Sequence, residues 1–330
     1  MVGLTNIKKL IYWLFEEPVA NTIPSLYTLD KVMNFFIKIN YIIIRILFRI
    51  AVGKKKREKS QLYRKLSYKG YVNFSFYLFI FLYKIIRFLR LGNPNLIKIY
   101  VPKYKYKVYC PATIEDFINM TTREQEIIEH FTPKKNDLVI DIGAHLGRYA
   151  LISSNRVGRE GKVITIEANP LILEKLKKNL ELNQITNTIG LNYAVFSEKT
   201  KIKLFFPREG LKNTIYNTIM SDRSANSEKF IEVNADTLDN ILYTVGIDLE
   251  DVNWIKIDVE GAELEVLKGS ANTLAKSKDI SILIEIHNIE HGKTLYEPII
   301  NLLNDYNFKK EFEIIHESGE RHLIVRKYVP

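Results

Sequence analysis

Hydrophobic and polar positions change rhythm three times along this chain. Residues 35–52 are aliphatic and aromatic except for Asn40 and three basic positions, Lys38, Arg45 and Arg49. Those three fall at i, i+7 and i+11 and so share one side of a helix. A second segment, residues 71–91, opens with 13 uncharged residues and closes on Lys84, Arg87 and Arg90. Thirteen residues are too few to cross a hydrocarbon layer of about 30 Å as a helix. A basic connector that includes Lys54, Lys55, Lys56 and Arg57 separates the two. From residue 97 the rhythm becomes alternating. Ile97, Ile99 and Val101, then Tyr104, Tyr106 and Val108, predict a short hairpin around Pro102 with one solvated face. A domain boundary is expected near residue 95, dividing the chain into 1–95 and 96–330.

Beyond residue 120 short apolar runs alternate with helical patterns. A helix is predicted over 122–131, capped by Thr121 or Thr122. Strands are predicted at 138–142, 162–167, 187–195, 230–234, 254–258, 281–287 and 323–326. Helices are predicted at 171–182, 237–242, 262–267 and 295–305, and another begins near Gly147. Residues 197–229 read as polar edge material. Regular alternation of this kind predicts an α/β fold, a doubly wound parallel sheet with helices on both faces. The basic helical region precedes it.

Charge sharpens this division. The 330 residues carry a net +10, but residues 1–110 hold 21 Lys/Arg against 4 Asp/Glu, and the remainder 27 against 34. A net +17 beside a net −7 points the N-terminal third toward an anionic partner. An anionic membrane surface met by residues 35–91, and packing of those helices on the main domain, are equally compatible with the pattern. Nucleic acid ranks lower, because no recognisable binding motif accompanies the charge. Cys110 is the single cysteine, so an internal disulfide and a cysteine-based zinc cluster are both excluded. No secretory signal is evident, and the expected location is cytoplasmic, peripheral on the inner membrane face if the basic helices dock there.

The chemistry gathers at predicted strand ends. Asp137–Gly147 reads as a buried strand, a tight Asp-x-Gly-x-x-x-Gly turn and a helix start. Gly143 and Gly147 let the backbone turn sharply and come close to a ligand, and the new helix offers unpaired N–H groups. Asp141 would repel a pyrophosphate and welcome a cation such as the amino group of an amino acid. The loop therefore suits S-adenosylmethionine (SAM) better than NAD. Glu167, at the end of the second strand, could accept the two ribose hydroxyls of a nucleoside. Asn192 and Ala194 could border an adenine. Asp258, Glu260 and Gly261 sit at a later strand-to-helix turn, where donor and acceptor would meet. Glu260 could instead simply cap the following helix. Glu285 and His287 share one strand face, and a histidine of near-neutral pKa beside a carboxylate is a natural general base. Asp258, Glu260 and His287 are also donors that Mg²⁺ or Mn²⁺ accepts, although nothing in their spacing demands an ion.

Together these motifs resemble the FkbM family of SAM-dependent methyltransferases. The resemblance rests on Val139–Tyr149, Ile166–Pro170, Leu176–Asn179 with Asn183, Asn192–Val195, Thr237–Asp239, Ile255–Gly269 and Ile284–His287. It covers roughly residues 97–328 and omits 1–95. It implies a Rossmann-like class I methyltransferase fold and transfer of a methyl group from SAM to a hydroxyl. Carried onto this chain, Asp141, Gly143, Ala144, Gly147, Tyr149, Glu167 and Ala168 belong with the donor. Asp258, Glu260, Glu285 and His287 then line the reacting end. His145 and Arg148 stand where the family often has other residues, and neither breaks the loop. The expected acceptor is a hydroxyl of a glycan, glycolipid or other small molecule. An RNA methyltransferase and a non-catalytic SAM-binding scaffold are the competing readings.

Overall fold

A computed structural model of the chain describes residues 98–101, 103–109, 114–121, 123–205, 230–288 and 294–328. The amphipathic segments 35–52 and 71–91 lie outside the described residues, as does most of the edge material predicted over 197–229. The described residues within 101–108 and 118–328 form one compact unit.

The predicted hairpin is present as β1 (Lys98–Val101) and β2 (Tyr106–Tyr109). Lys105, with a left-handed φ of 58°, donates its N–H to the Val101 carbonyl at the turn. Two short helices come next, α1 (Ile114–Thr121) and α2 (Gln125–His130). The helix predicted over 122–131 is thus shorter than expected, and no threonine caps it. Glu124 occupies the N-cap in a left-handed conformation, with φ 57°.

The central strands β3 (Leu138–Ile142), β4 (Lys162–Ile166) and β5 (Thr188–Leu191) alternate with helices α3 (Arg148–Val157) and α4 (Pro170–Leu182). Asn169 caps α4 through the Leu171 N–H, ahead of Pro170 at the first helical turn. The run predicted as one strand over 187–195 is broken. Its second part, β6 (Ala194–Val195), leaves the main sheet and joins β7 (Thr200–Phe205) and β8 (Phe230–Asp236) in a small three-stranded sheet. The remaining elements are α5 (Leu238–Thr244), β9 (Val252–Ile257), α6 (Glu263–Lys268), α7 (Ala271–Lys276), β10 (Ser281–Ile286), α8 (Tyr296–Asp305), β11 (Phe308–Ile315) and β12 (Arg321–Lys327).

The main sheet runs in the order β11-β12-β10-β9-β3-β4-β5. Its five strands from β10 to β5 are parallel. β12 is antiparallel to both of its neighbours. Strand order reverses between β3 and β9, where ligands of open parallel sheets collect. Ile140, Ile142, Ile164, Ile166, Ile255, Ile257 and Ile284 are essentially solvent-free between the helical layers. Burial on both faces is why these strands read as continuous apolar runs, and each such isoleucine contributes roughly 1.5–3 kcal/mol. The architecture is a doubly wound, Rossmann-like sheet, parallel except at β12 and β11.

Candidate active site

At the carboxyl end of β3 the chain turns on Gly143, whose φ is 72°. A Cβ there would lie 1.8 Å from the Asp258 backbone oxygen, so no other residue fits. Gly143 and Ala144 both donate N–H bonds to the Ile166 carbonyl, at 2.9 and 3.2 Å, tying the loop to the end of β4. Gly147 makes the sharp turn expected of it, with φ 93°, but does not line the cavity. Its missing side chain makes room for Leu176 of α4, whose Cγ a Cβ would meet at 3.1 Å.

Beside this loop lies a cavity of about 170 Å³. Of the residues singled out in the sequence, Gly143, Ala144, Tyr149, Glu167, Ala168, Ala194, Asp258, Glu260 and Glu285 line it. Tyr193 and Val195 add apolar wall, as do Ile202 and Leu204 of β7, which lie in the stretch predicted as polar edge material. Glu167 is set firmly at the rim. Its two carboxylate oxygens accept from the His145 N–H at 2.8 Å and the Asn169 N–H at 2.9 Å. Burial raises its pKa, opposed by those two backbone bonds.

Asn192 is exposed and stands outside the lining. Its amide donates to the Glu167 and Ala168 carbonyls at 2.9 and 2.8 Å, so it ties down the end of β4 from outside the cavity lining. Asp141 also differs from expectation. It is fully buried beneath the loop and does not line the cavity. The cation facing it is Lys256 of β9, with Nζ 3.6 Å from Oδ1. The same Nζ lies 3.2 Å from Asp258 Oδ2 and donates to the Gly143 carbonyl at 2.9 Å. Burial would lower the lysine pKa, but the charges of Asp258 and Asp141 outweigh it and hold the group protonated. The unequal sharing shows in its partners. Burial pushes Asp141 up to about 6 despite Lys256. For Asp258 the burial effect is overcome by Lys256 and then His287, and its pKa falls to about 2.

His287 sits just behind the cavity wall. Nδ1 is 2.7 Å from Glu263 Oε1, and that same oxygen accepts the Gly261 N–H at 2.9 Å. The acid that folds back to the turn ahead of α6 is therefore Glu263, and Glu260 is not that helix's cap. Glu260 has a left-handed φ of 55° and places Oε2 at 3.6 Å from His287 Nε2. Asp258 and Glu285 stand 3.9 and 3.8 Å from that nitrogen. Burial alone would lower the imidazole pKa. The hydrogen bond that Nδ1 donates to Glu263 and the charges of Glu263, Glu260 and Asp258 reverse this and push it up to about 10. The near-neutral histidine base expected from sequence is thus an imidazolium, with no lone pair to offer a hydroxyl proton. Glu285 is paired in turn with His322 of β12 at 3.3 Å, and His322 with His316 at 2.7 Å. Glu124 accepts the Tyr149 hydroxyl at 2.7 Å, and both line the cavity.

Sequence reasoning missed Lys256, Glu263, His322 and Glu124 as parts of this site. Lys256 carried one available signal, a lone charge inside an otherwise apolar strand. The others become neighbours only through the fold.

The model of the methyltransferase FkbM domain matches residues 141–310, more than half of the chain. This chain belongs to the FkbM methyltransferase family. The family's methyl donor is SAM, and the loop, the apolar wall and Glu167 are the features of this chain that fit it. Among curated relatives, the chain is 28% identical over 157 residues to methyltransferase sdnD of Sordaria araneosa, covering 41% of this chain and 60% of that protein. It is 27% identical over 170 residues to the hexuronic acid methyltransferase AglP of Haloferax volcanii, covering 50% and 62%. The match thus spans about six-tenths of each relative. Among solved structures, fibrillarin from Aeropyrum pernix with bound SAM is 13% identical at a TM-score of 0.37, covering 58% of this chain and 67% of that one. A SAM-dependent methyltransferase from Aquifex aeolicus is 12% identical at 0.38, covering 64% and 93%.

Proposed function

We propose that this FkbM-family chain is a SAM-dependent O-methyltransferase acting on a hydroxyl of a glycan or similar small molecule. The observation that carries this reading is a single cavity with two unlike ends. One is an apolar bed with Glu167 at its rim, and the other is a cluster of carboxylates at Asp258, Glu260 and Glu285. Glu167 would take the ribose hydroxyls, while Ala194, Val195 and Leu204 flank the base. The sulfonium would then face the carboxylates, which favour its positive charge electrostatically. An acceptor hydroxyl laid against Asp258 and Glu285 has a proton acceptor at hand, and His287 serves to hold those acids in place. SAM already carries a good leaving group, so alignment and exclusion of water supply much of the rate. The likeness to a hexuronic acid methyltransferase supports a sugar as the acceptor.

Titration of the full chain with SAM by calorimetry tests the donor, with Gly143→Ala as control. Micromolar binding that is lost in the folded variant is expected. Methyl-labelled SAM supplied with neutral and uronic-acid sugars then tests the acceptor. A folded chain that binds no SAM would sink the proposal. SAM binding combined with transfer only to RNA would replace the sugar by nucleic acid.

A further inference from the structure

Glu263 and His287 raise a question that methyl transfer does not answer. Glu263 is solvent-free, and its Oε2 has no hydrogen-bond partner. His287 is only 4% exposed. With Nδ1 committed to Glu263, its Nε2 has no hydrogen bond among the described residues. That nitrogen is aimed into a gap between Glu260 Oε2 and Asp258 Oδ1, at 3.6 and 3.9 Å. Those separations are too long for hydrogen bonds. They are close to the roughly 3–3.5 Å between neighbouring donors around a divalent ion held at about 2.1 Å from each. One donor atom from each of Asp258, Glu260 and His287 lies within 4.8 Å of the other two.

Two further features distinguish this arrangement from a chance gathering of acids. The first is orientation. A ligating histidine characteristically donates its other ring N–H to a carboxylate, which fixes the tautomer and turns the free nitrogen toward the ion. Glu263 does this here, and is itself anchored by the Gly261 N–H at 2.9 Å. The second is charge. Asp258, Glu260, Glu263 and Glu285 surround one imidazole. Of the cations beside them, Lys256 is shared with buried Asp141, and His322 is already paired with Glu285. Lys256 takes Asp258 Oδ2 and leaves Oδ1 turned toward His287.

We infer that Asp258, Glu260 and His287 form a binding site for a divalent cation, which takes the place of the proton on His287 Nε2 and releases it to solvent, with Glu263 as the residue that positions the histidine. Two carboxylates and one imidazole, with no thiolate, suit Mn²⁺ or Mg²⁺. Asp258 and Glu260 both line the cavity, so the ion's remaining positions open toward the acceptor end. On the methyltransferase reading, which this deepens, the fitting acceptors present two adjacent oxygens, as a vicinal diol or a hydroxy acid does.

The test is Mn²⁺ binding by the full chain, followed by electron paramagnetic resonance without SAM or acceptor. The expected result is one Mn²⁺ per chain, bound at least tenfold more weakly in both Glu260→Gln and His287→Gln. If His287→Gln fails to fold because Glu263 is left buried and unpaired, Glu260→Gln decides alone. It alters a residue on the turn between β9 and α6. No stoichiometric Mn²⁺ on folded wild-type protein overturns the inference, and so does binding that the folded variants leave unchanged. SAM affinity measured on metal-free protein keeps the two readings apart. If SAM binds and Mn²⁺ does not, the ion site falls and the methyltransferase proposal stands.

Discussion

The two ends of the cavity are built from different materials. At the end of β3 and β4 the work is done by backbone. Gly143 and Ala144 fold onto the Ile166 carbonyl, and Glu167 is held by two peptide N–H groups. At the end of β9 and β10 it is done by side chains, with Lys256, Asp258, Glu260, Glu263, His287 and Glu285 held within a few ångströms by mutual charge. A donor that is the same in every turnover can be recognised by a fixed peptide shape. Chemistry on an acceptor needs charges placed against a reacting atom, and placing them underground costs desolvation that only partners can offset.

That contrast can be broken at its most heavily loaded point. Replacing Lys256 by methionine leaves Asp141 without its facing cation and unbalances Asp258. A loss of about 3–5 kcal/mol in urea unfolding at neutral pH is expected, since removing one partner strands buried charge. Adding Asp141→Asn should return part of it, and a single variant as stable as wild type would show that Lys256 does not hold the charged end together. At the donor end the expected effect is smaller and falls on binding. Glu167→Gln keeps the shape of the rim but gives up the charge, and SAM affinity in calorimetry should drop roughly tenfold to a hundredfold, the scale of a hydrogen bond to an ionised group. The smallest effect is expected at Asn192→Ala. It removes two amide bonds to the end of β4 from an exposed position. About 1 kcal/mol of stability and a few-fold in SAM affinity should go, and a change as large as that of Glu167→Gln would return Asn192 to the binding surface.

The unequal materials also explain how much of the molecule is legible in its sequence. Glycines, apolar strands and helix starts are local features, so β3, β4, α4, β9 and β10 can be read nearly to their ends, and the cofactor loop with them. β11 cannot, because its sequence Phe-Lys-Lys-Glu-Phe-Glu-Ile-Ile is half charged and half apolar without a clean alternation. β7 reads as polar edge because its lysines mask Ile202 and Leu204. On the charged end the residue types are visible and their states are not. His287 reads as a neutral base beside Glu285. It becomes an imidazolium because Glu263, in sequence an ordinary first-turn helical acid, is folded back against it. Asp141 reads as a ligand for a cation from outside, and the cation proves to be Lys256 from the neighbouring strand.

The sheet order has a consequence for how the chain comes off the ribosome. β12 lies between β10 and β11 although it is made after both. Until residues 321–327 emerge, β11 has no strand to pair with, and β10 shows the nascent chain a naked edge able to recruit a stray strand. His322, the partner of Glu285, arrives on that same segment. A growing chain can therefore shape the glycine-loop end of the cavity early, while the charged end stays incomplete until synthesis has passed β12.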